Sequence, residues 1–187
     1  HVKITQVSAE LYAKPYKTPI SNGKYTYDAS KNVVVRISTD EEIEGVGVCG
    51  GGGISVLPGN DIVVTVVNDM AQALIGEDPF NVERIWESLY QPKIFGRKGL
   101  TTRAISAIDI ALWDIVAKAV ERPLYQVLGG YTDEVRAYIA GGYYEEGKGL
   151  AELQDEMVGY VSQGANAVKM KVRAVPLRED EARVCAV

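Results

Sequence analysis

Around Gly130 the order of secondary-structure signals changes, and that change constrains the fold more than any other feature of the sequence. Before Gly130, short β-favouring runs come first and helical patterns follow. After it, strand and helix patterns alternate one for one. The first order describes an α+β unit and the second describes the opening of a parallel β/α array.

Val2 to Tyr12 alternates weakly and then meets Lys14-Pro15-Tyr16 and Thr18-Pro19, which predicts a strand followed by a loop through about Ser30. Val33 to Ser38 is β-branched, Thr39 to Glu42 is polar, and Glu44 to Val48 is apolar at alternate positions. An antiparallel hairpin is expected there, completing a three-stranded meander. Gly50 to Gly53 reads as a flexible stretch, and Pro58-Gly59-Asn60 as a turn and N-cap for a helix through about Leu74, stopped by Gly76. A second helix is expected from about Asn81 to Tyr90. From Leu100 to Val120, Ala104, Ile108, Ala111 and Ile115 recur at helical spacing with Ile105, Leu112, Val116 and Ala119 beside them, the broad apolar face of a core helix.

Beyond Gly130, Val135 to Ala140 predicts a strand ending in Gly141-Gly142, and Leu150 to Gln163 a helix ending at Gly164. Ala167 to Val172 predicts a second strand, and Arg178 to Val187 a second helix whose acidic first turn suits the helix dipole. Two β/α units cannot close a barrel. The expected organisation is therefore an α+β domain over residues 1–130 and an unfinished β/α array over 131–187, the chain ending in mid-domain.

The chain has 187 residues, 20 Lys+Arg against 25 Asp+Glu for a net charge of −5, and a single His, at position 1. Without an internal His, His-ligated zinc, Ser-His-Asp triads and Cys-His pairs are excluded from these residues. Acid–base chemistry must use Lys, Tyr, Asp or Glu. The acidic balance and the lack of a basic tract argue against nucleic acid. Apolar runs such as Ile62 to Val67 fall far short of a membrane span, and the N-terminus has no signal-peptide layout. A soluble, cytoplasmic protein with no membrane partner is expected. Cys49 and Cys185 are too few and too far apart for a disulfide framework.

Several motifs carry chemistry on paper. Gly45-Val46-Gly47-Val48-Cys49-Gly50 fits a dinucleotide fingerprint, but that motif needs a helix opening on it, and here it lies on the second strand of a hairpin. The structural reading is small residues where a strand packs closely. Asp109 and Asp114 lie five residues apart on the core helix and so point about 140° from one another; they cannot share an ion, and each is expected to satisfy a backbone or Arg partner. Glu83 and Glu87 share a helix face and read as solvated surface. Tyr143 and Tyr144 follow a Gly-Gly at a strand end, a position that serves either packing or an active site.

Lys169-Met170-Lys171 is the most informative motif. Residues i and i+2 of a strand share a face, so Lys169 and Lys171 lie on one side and Val168, Met170 and Val172 on the other. In a β/α barrel the apolar face packs under the helices, which sends both ammonium groups inward, where burial needs a reason. Two positive charges about 7 Å apart repel each other, which favours one acting as a base while the pair attracts an anionic substrate. The competing reading is a solvated edge strand.

The order of meander, three helices, Ala107-Ile108-Asp109-Ile110-Ala111-Leu112-Trp113-Asp114, Pro123-Leu124-Tyr125-Gln126-Val127-Leu128-Gly129-Gly130 and Val168-Lys169-Met170-Lys171-Val172 resembles the mandelate racemase and muconate lactonizing enzyme branch of the enolase superfamily, over the first half of a family member. The resemblance implies an α+β capping domain followed by a modified (β/α)₇β barrel. It implies Lys171 as the base that takes the proton α to a substrate carboxylate, with Lys169 supporting it. It implies Mg²⁺ stabilising an ene-diolate, held by carboxylates on later barrel strands, so no metal ligand is expected in these residues. Two capping-domain loops, about Pro15 to Asp28 and Cys49 to Pro58, are implied to close over the barrel mouth, with Tyr25 and Tyr27, beside Tyr143, as substrate contacts. A sugar-acid dehydratase acting on a small carboxylate, as a homo-oligomer, is the first expectation. The alternatives are a racemase, epimerase or cycloisomerase of the same superfamily, and a catalytically incomplete fragment or oligomerisation module. Arg173 stands where such chains commonly have glycine.

Overall fold

The structure, a computed structural model, describes residues 1–50, 53–54 and 59–187. Along the chain run β1 (Ile4–Ser21), β2 (Thr26–Thr39), β3 (Glu44–Gly50), β4 (Gly53–Ile54), α1 (Asn60–Met70) with a 3₁₀ turn at Ala71–Ala73, α2 (Val82–Leu89), α3 (Pro92–Phe95), α4 (Leu100–Ala119) and α5 (Leu124–Val127). Then β5 (Ile139–Ala140), α6 (Leu150–Ser162), β6 (Val168–Lys169) and α7 (Leu177–Cys185) alternate. The described residues form two compact units, one of 1–14, 31–50 and 59–133, the other of 15–30, 53–54 and 134–187.

In the first unit the sheet order is β1-β2-β3. β2 and β3 pair antiparallel with Val33 opposite Cys49, Val35 opposite Gly47 and Ile37 opposite Gly45. Strand alternation turns Val33, Val35 and Ile37 inward, all fully buried. The same alternation turns Gly45 and Gly47 toward α4, where a Cβ on Gly47 would lie 1.8 Å from the Ala107 carbonyl oxygen and one on Gly45 2.1 Å from that of Ala111. The glycines of the apparent dinucleotide fingerprint therefore let helix and sheet backbones meet, which is the structural reading. Ala104, Ala107, Ile108, Ala111, Leu112 and Ile115 of α4 form the centre of the core with Val63 and Val67 of α1 and Ile85 of α2. Asp114 accepts the Val46 N–H at 2.8 Å and a Lys118 ammonium hydrogen at 2.7 Å, which closes one edge of β3. Gly59, not Asn60, precedes the first turn of α1, and Asn60 instead accepts a hydrogen bond from Arg103 at 3.0 Å.

The expected loop from Pro15 through Ser30 is corrected by the structure. β1 runs unbroken to Ser21 and β2 begins at Thr26, so the segment is a long hairpin with a four-residue tip. Prolines mark loops because they lack the N–H that a central strand needs, but β1 ends the strand order, and an edge strand tolerates Pro15 and Pro19. The tip turns on Asn22, whose side-chain oxygen accepts the N–H groups of Lys24 and Tyr25, both at 2.8 Å. Of the second expected loop, Cys49 to Pro58, residues 51–52 and 55–58 lie outside the described residues.

In the second unit β5 and β6 pair parallel, Ile139 opposite Val168 and Ala140 opposite Lys169. Both strands are shorter than the six-residue runs expected. Hydrogen bonds continue the pairing beyond them, from Gly141 N–H to the Lys169 carbonyl at 2.8 Å and from Lys171 N–H to the Gly142 carbonyl at 3.3 Å. Helix α6 packs against this end of the strands with Leu153 and Met157 buried, and its Glu152 accepts the Gly149 N–H at 2.9 Å. No helix among the described residues is long and apolar enough to cross a membrane.

Candidate functional site

Strand alternation places Lys169 and Lys171 on the face of the two-stranded sheet opposite α6. That face is open among the described residues: Lys169 is exposed and Lys171 half-buried, where burial of both was expected. Each ammonium lies on its own aromatic ring, Lys171 Nζ 4.9 Å from the Tyr143 centroid and Lys169 Nζ 5.8 Å from that of Tyr138. Both are within cation–π range.

Tyr143 in turn meets Tyr27 of the hairpin edge-on, centroids 6.4 Å apart at 89°. The Tyr27 hydroxyl accepts a hydrogen bond from the Asn22 side-chain amide at 2.9 Å. A continuous file therefore runs Asn22, Tyr27, Tyr143, Lys171, within the second unit. Tyr25 is turned otherwise: Lys24 Nζ lies 4.9 Å over its ring at the hairpin tip. The structure thus brings Tyr27, Tyr143 and Lys171 together and leaves Tyr25 and Lys169 with other neighbours.

Three charged residues beneath this file escaped the sequence reading. Asp180 and Arg183 are the buried residues of α7, 7% and 6% exposed. Asp180 accepts the Tyr144 hydroxyl on one carboxylate oxygen and the Arg173 N–H on the other. Arg183 donates to the Gly142 carbonyl at 2.9 Å and stacks over the Tyr144 ring at 4.2 Å. On α6, Glu156 accepts the Gly142 N–H at 3.1 Å and the Tyr160 hydroxyl at 2.7 Å, and is paired with Lys148. Glycine is required at Gly142, which has φ +60° and where a Cβ would lie 2.5 Å from the Met170 Cβ, while a Cβ on Gly141 would press 2.5 Å against the side-chain ends of Glu156 and Tyr160.

These contacts set the titration of the cluster. The Tyr144 hydroxyl holds Asp180 below the usual carboxylate range against the effect of burial, helped by the Arg173 N–H and the Arg183 charge. Burial pushes Glu156 up, but the Lys148, Tyr160 and Gly142 donors outweigh it and leave its carboxyl lowered. Burial and the hydrogen bond to Glu156 push Tyr160 up to about 12, and burial and Asp180 raise Tyr144. Arg173 adopts φ +80°, a left-handed conformation unusual for a residue with a side chain, and its N–H bond to Asp180 holds it there. Among the described residues no three His, Cys, Asp or Glu side chains converge on a point where a metal ion could sit.

The family model for the N-terminal domain of mandelate racemase and muconate lactonizing enzyme matches residues 4–129. An arabinonate dehydratase of Saccharolobus solfataricus is 40% identical over 127 residues, which are 67% of this chain and 34% of that protein. A 3,6-anhydro-alpha-L-galactonate cycloisomerase of Streptomyces coelicolor is 35% identical over 188 residues, 98% of this chain and 50% of that protein. Among solved structures, L-talarate/galactarate dehydratase from Salmonella typhimurium LT2, liganded with Mg and L-lyxarohydroxamate, superposes with a TM-score of 0.89 at 29% identity, covering 100% of this chain and 48% of that chain. The chain spans between about a third and a half of the length of the curated relatives it matches.

Proposed function

The chain belongs to the mandelate racemase/muconate lactonizing enzyme family of the enolase superfamily, and from that premise we propose that the protein is a sugar-acid dehydratase that removes the proton α to the carboxylate of a small hydroxy acid, with Lys171 as the base. The supporting observation is the file from Asn22 through Tyr27 and Tyr143 to Lys171. It puts a primary amine at the C-terminal end of a parallel strand, where β/α enzymes carry their chemistry, and surrounds it with groups able to contact a polyhydroxylated acid. Tyr27 and Tyr143 are proposed as substrate contacts beside the amine. Tyr25 is proposed as a contact from the hairpin tip, and Lys169 as the second cation facing the carboxylate.

The work required of the chain's own residues is limited and definable. Lys171 takes the α-proton onto Nζ, which requires the amine to be neutral at the moment of transfer and held near the α-carbon. The Tyr143 ring and the backbone bond from Lys171 N–H to Gly142 fix where that amine lies. Lys169 attracts and orients the carboxylate electrostatically. The Salmonella relative is liganded with Mg, and we propose Mg²⁺ as the cofactor. Among the described residues no three carboxylates meet to form a magnesium cage. The ligands are proposed to lie on other residues of the protein. We further propose residues 1–130 as the capping domain and 131–187 as barrel, a cytoplasmic homo-oligomer as the working assembly, and these 187 residues by themselves as inactive.

In the full-length protein, Lys171→Ala should cut exchange of the substrate α-proton with deuterated solvent by about 10²–10⁴-fold while leaving the fold intact. Retained exchange would refute the assignment. The substrate class is tested by a library of sugar acids scored for dehydration. A cycloisomerase is the second reading, favoured by the Streptomyces relative's alignment along 98% of this chain; conversion of a lactone or anhydro-sugar acid without loss of water would select it.

A further inference from the structure

The tip of the β1–β2 hairpin is fastened to the strand ends of the second unit at two places. Ser21 and Tyr144 exchange backbone hydrogen bonds, Ser21 N–H to the Tyr144 carbonyl at 2.8 Å and Tyr144 N–H to the Ser21 carbonyl at 3.0 Å. Gly23 lies against the backbone of Arg173, so closely that an added Cβ would stand 2.8 Å from its carbonyl oxygen. Tyr144 and Arg173 follow the paired strands β5 and β6 at the same register offset, and Asp180 accepts a hydrogen bond from each. Arg183, one helical turn on, holds the same Tyr144 ring and the Gly142 carbonyl.

We propose that Asp180 is a positioning residue for the site, seating the hairpin tip and thereby placing Tyr27 against Tyr143 beside Lys171. The role rests on the dehydratase reading only in what it says the seated tip is for. The seating itself is a property of the fold. Both receptors of the tip depend on the one carboxylate. Tyr144 presents its backbone at the right height because its hydroxyl is anchored, and Arg173 presents its carbonyl to Gly23 because its left-handed conformation is held by its N–H bond to Asp180. Asparagine at position 180 keeps the size but is neutral and offers a single acceptor oxygen; with that oxygen on the Arg173 N–H its amide can only donate to the Tyr144 hydroxyl, so the charge-assisted bond that Tyr144 gives to the carboxylate is lost.

The test is residue-resolved amide hydrogen exchange on the full-length protein, which needs no substrate. Asp180→Asn should raise exchange of the Ser21 and Tyr144 amides about tenfold, the scale of one lost charge-assisted hydrogen bond, with the α4 amides unchanged. Tyr144→Phe removes only the hydroxyl and should give a smaller rise at the same two amides; it also carries the test should Asp180→Asn fail to fold. Gly23→Ala should raise exchange of Ser21 with Asp180 intact. Unchanged exchange at Ser21 and Tyr144 in Asp180→Asn, or an equal rise throughout α4, would overturn the proposal. Loss of α-proton exchange in Lys171→Ala is a separate result: if that fails while the amides respond to Asp180→Asn, the catalytic reading falls and the seating role stands.

Discussion

Replacing Gly47 by alanine tests the packing of sheet on helix most directly. The added Cβ would lie 1.8 Å from the Ala107 carbonyl oxygen and 2.8 Å from the Ala111 nitrogen, while ordinary contact begins near 3.4 Å. Relief therefore requires β3 and α4 to part by about 1.6 Å. Both obstructing groups are backbone, so no rotamer change can make room. Parting the layers would loosen the contacts of Ala107, Ile108, Ala111 and Ile115, all at most 1% exposed. Overpacking of a tight core costs about 1–3 kcal/mol, and a backbone-to-backbone clash belongs at the upper end, about 3 kcal/mol. A loss of that size lowers Tm by about 6–12 °C in a chain of this length. Trp86 and Trp113 both lie in the first unit and are the chain's two tryptophans, so their fluorescence in urea reports the unit that is perturbed. Gly159→Ala is the control: nothing lies within 4 Å of a Cβ there on α6 of the second unit, helix propensity favours the change by about 0.5–1 kcal/mol, and the tryptophan transition of the first unit should stay where it is. A Gly47→Ala protein within about 0.5 kcal/mol of the parent would refute close backbone packing as the reason for the glycine.

Four further outcomes are expected. Asp180 and Glu156 both titrate below their unfolded values, so the stability they contribute is present above about pH 4 and is lost as pH falls through their folded values; tyrosine near-ultraviolet dichroism of the second unit should fade in acid before α4 helicity does. Tyr160, pushed up to about 12, contributes stability that is complete below about pH 10 and is lost as pH rises through about 12; the tyrosinate absorbance that Tyr160→Phe removes should be the part that appears near pH 12. Asp109 is raised by burial first and by the Glu83 charge second, so its ionised form opposes folding at neutral pH, and Asp109→Asn should raise Tm at pH 7 with the difference closing in acid. Arg173→Gly removes a left-handed strain of about 1–2 kcal/mol and adds about 0.4–1 kcal/mol of unfolded-state freedom. Its net gain in urea should thus reach about 1 kcal/mol, while Arg173→Ala, which keeps the Cβ, gains nothing.

What the sequence made legible follows from where apolar periodicity exists. Helix α4 was readable to within a residue because its buried face is a continuous apolar stripe, and the β2–β3 hairpin because β-branched residues alternate around a polar turn. The outer part of the β1–β2 hairpin reads as a loop because Pro15, Pro19 and the polar residues beside them carry that signature, and only the strand order reveals that β1 is an edge. Lys171 and its neighbours Tyr27 and Tyr143 could be named singly from strand ends and motifs, but not their mutual contact, which joins residues over a hundred positions apart. Helix α7 is the harder case. Arg178-Glu179-Asp180-Glu181 reads as a dipole-favoured first turn, yet the residues α7 buries are Asp180 and Arg183, with Leu177 and Val184 exposed. Polarity orders a helix face only when the surface it meets is apolar. The surface met by Asp180 is a tyrosine hydroxyl and the N–H of a left-handed residue, and the carboxylate turns inward to accept from both.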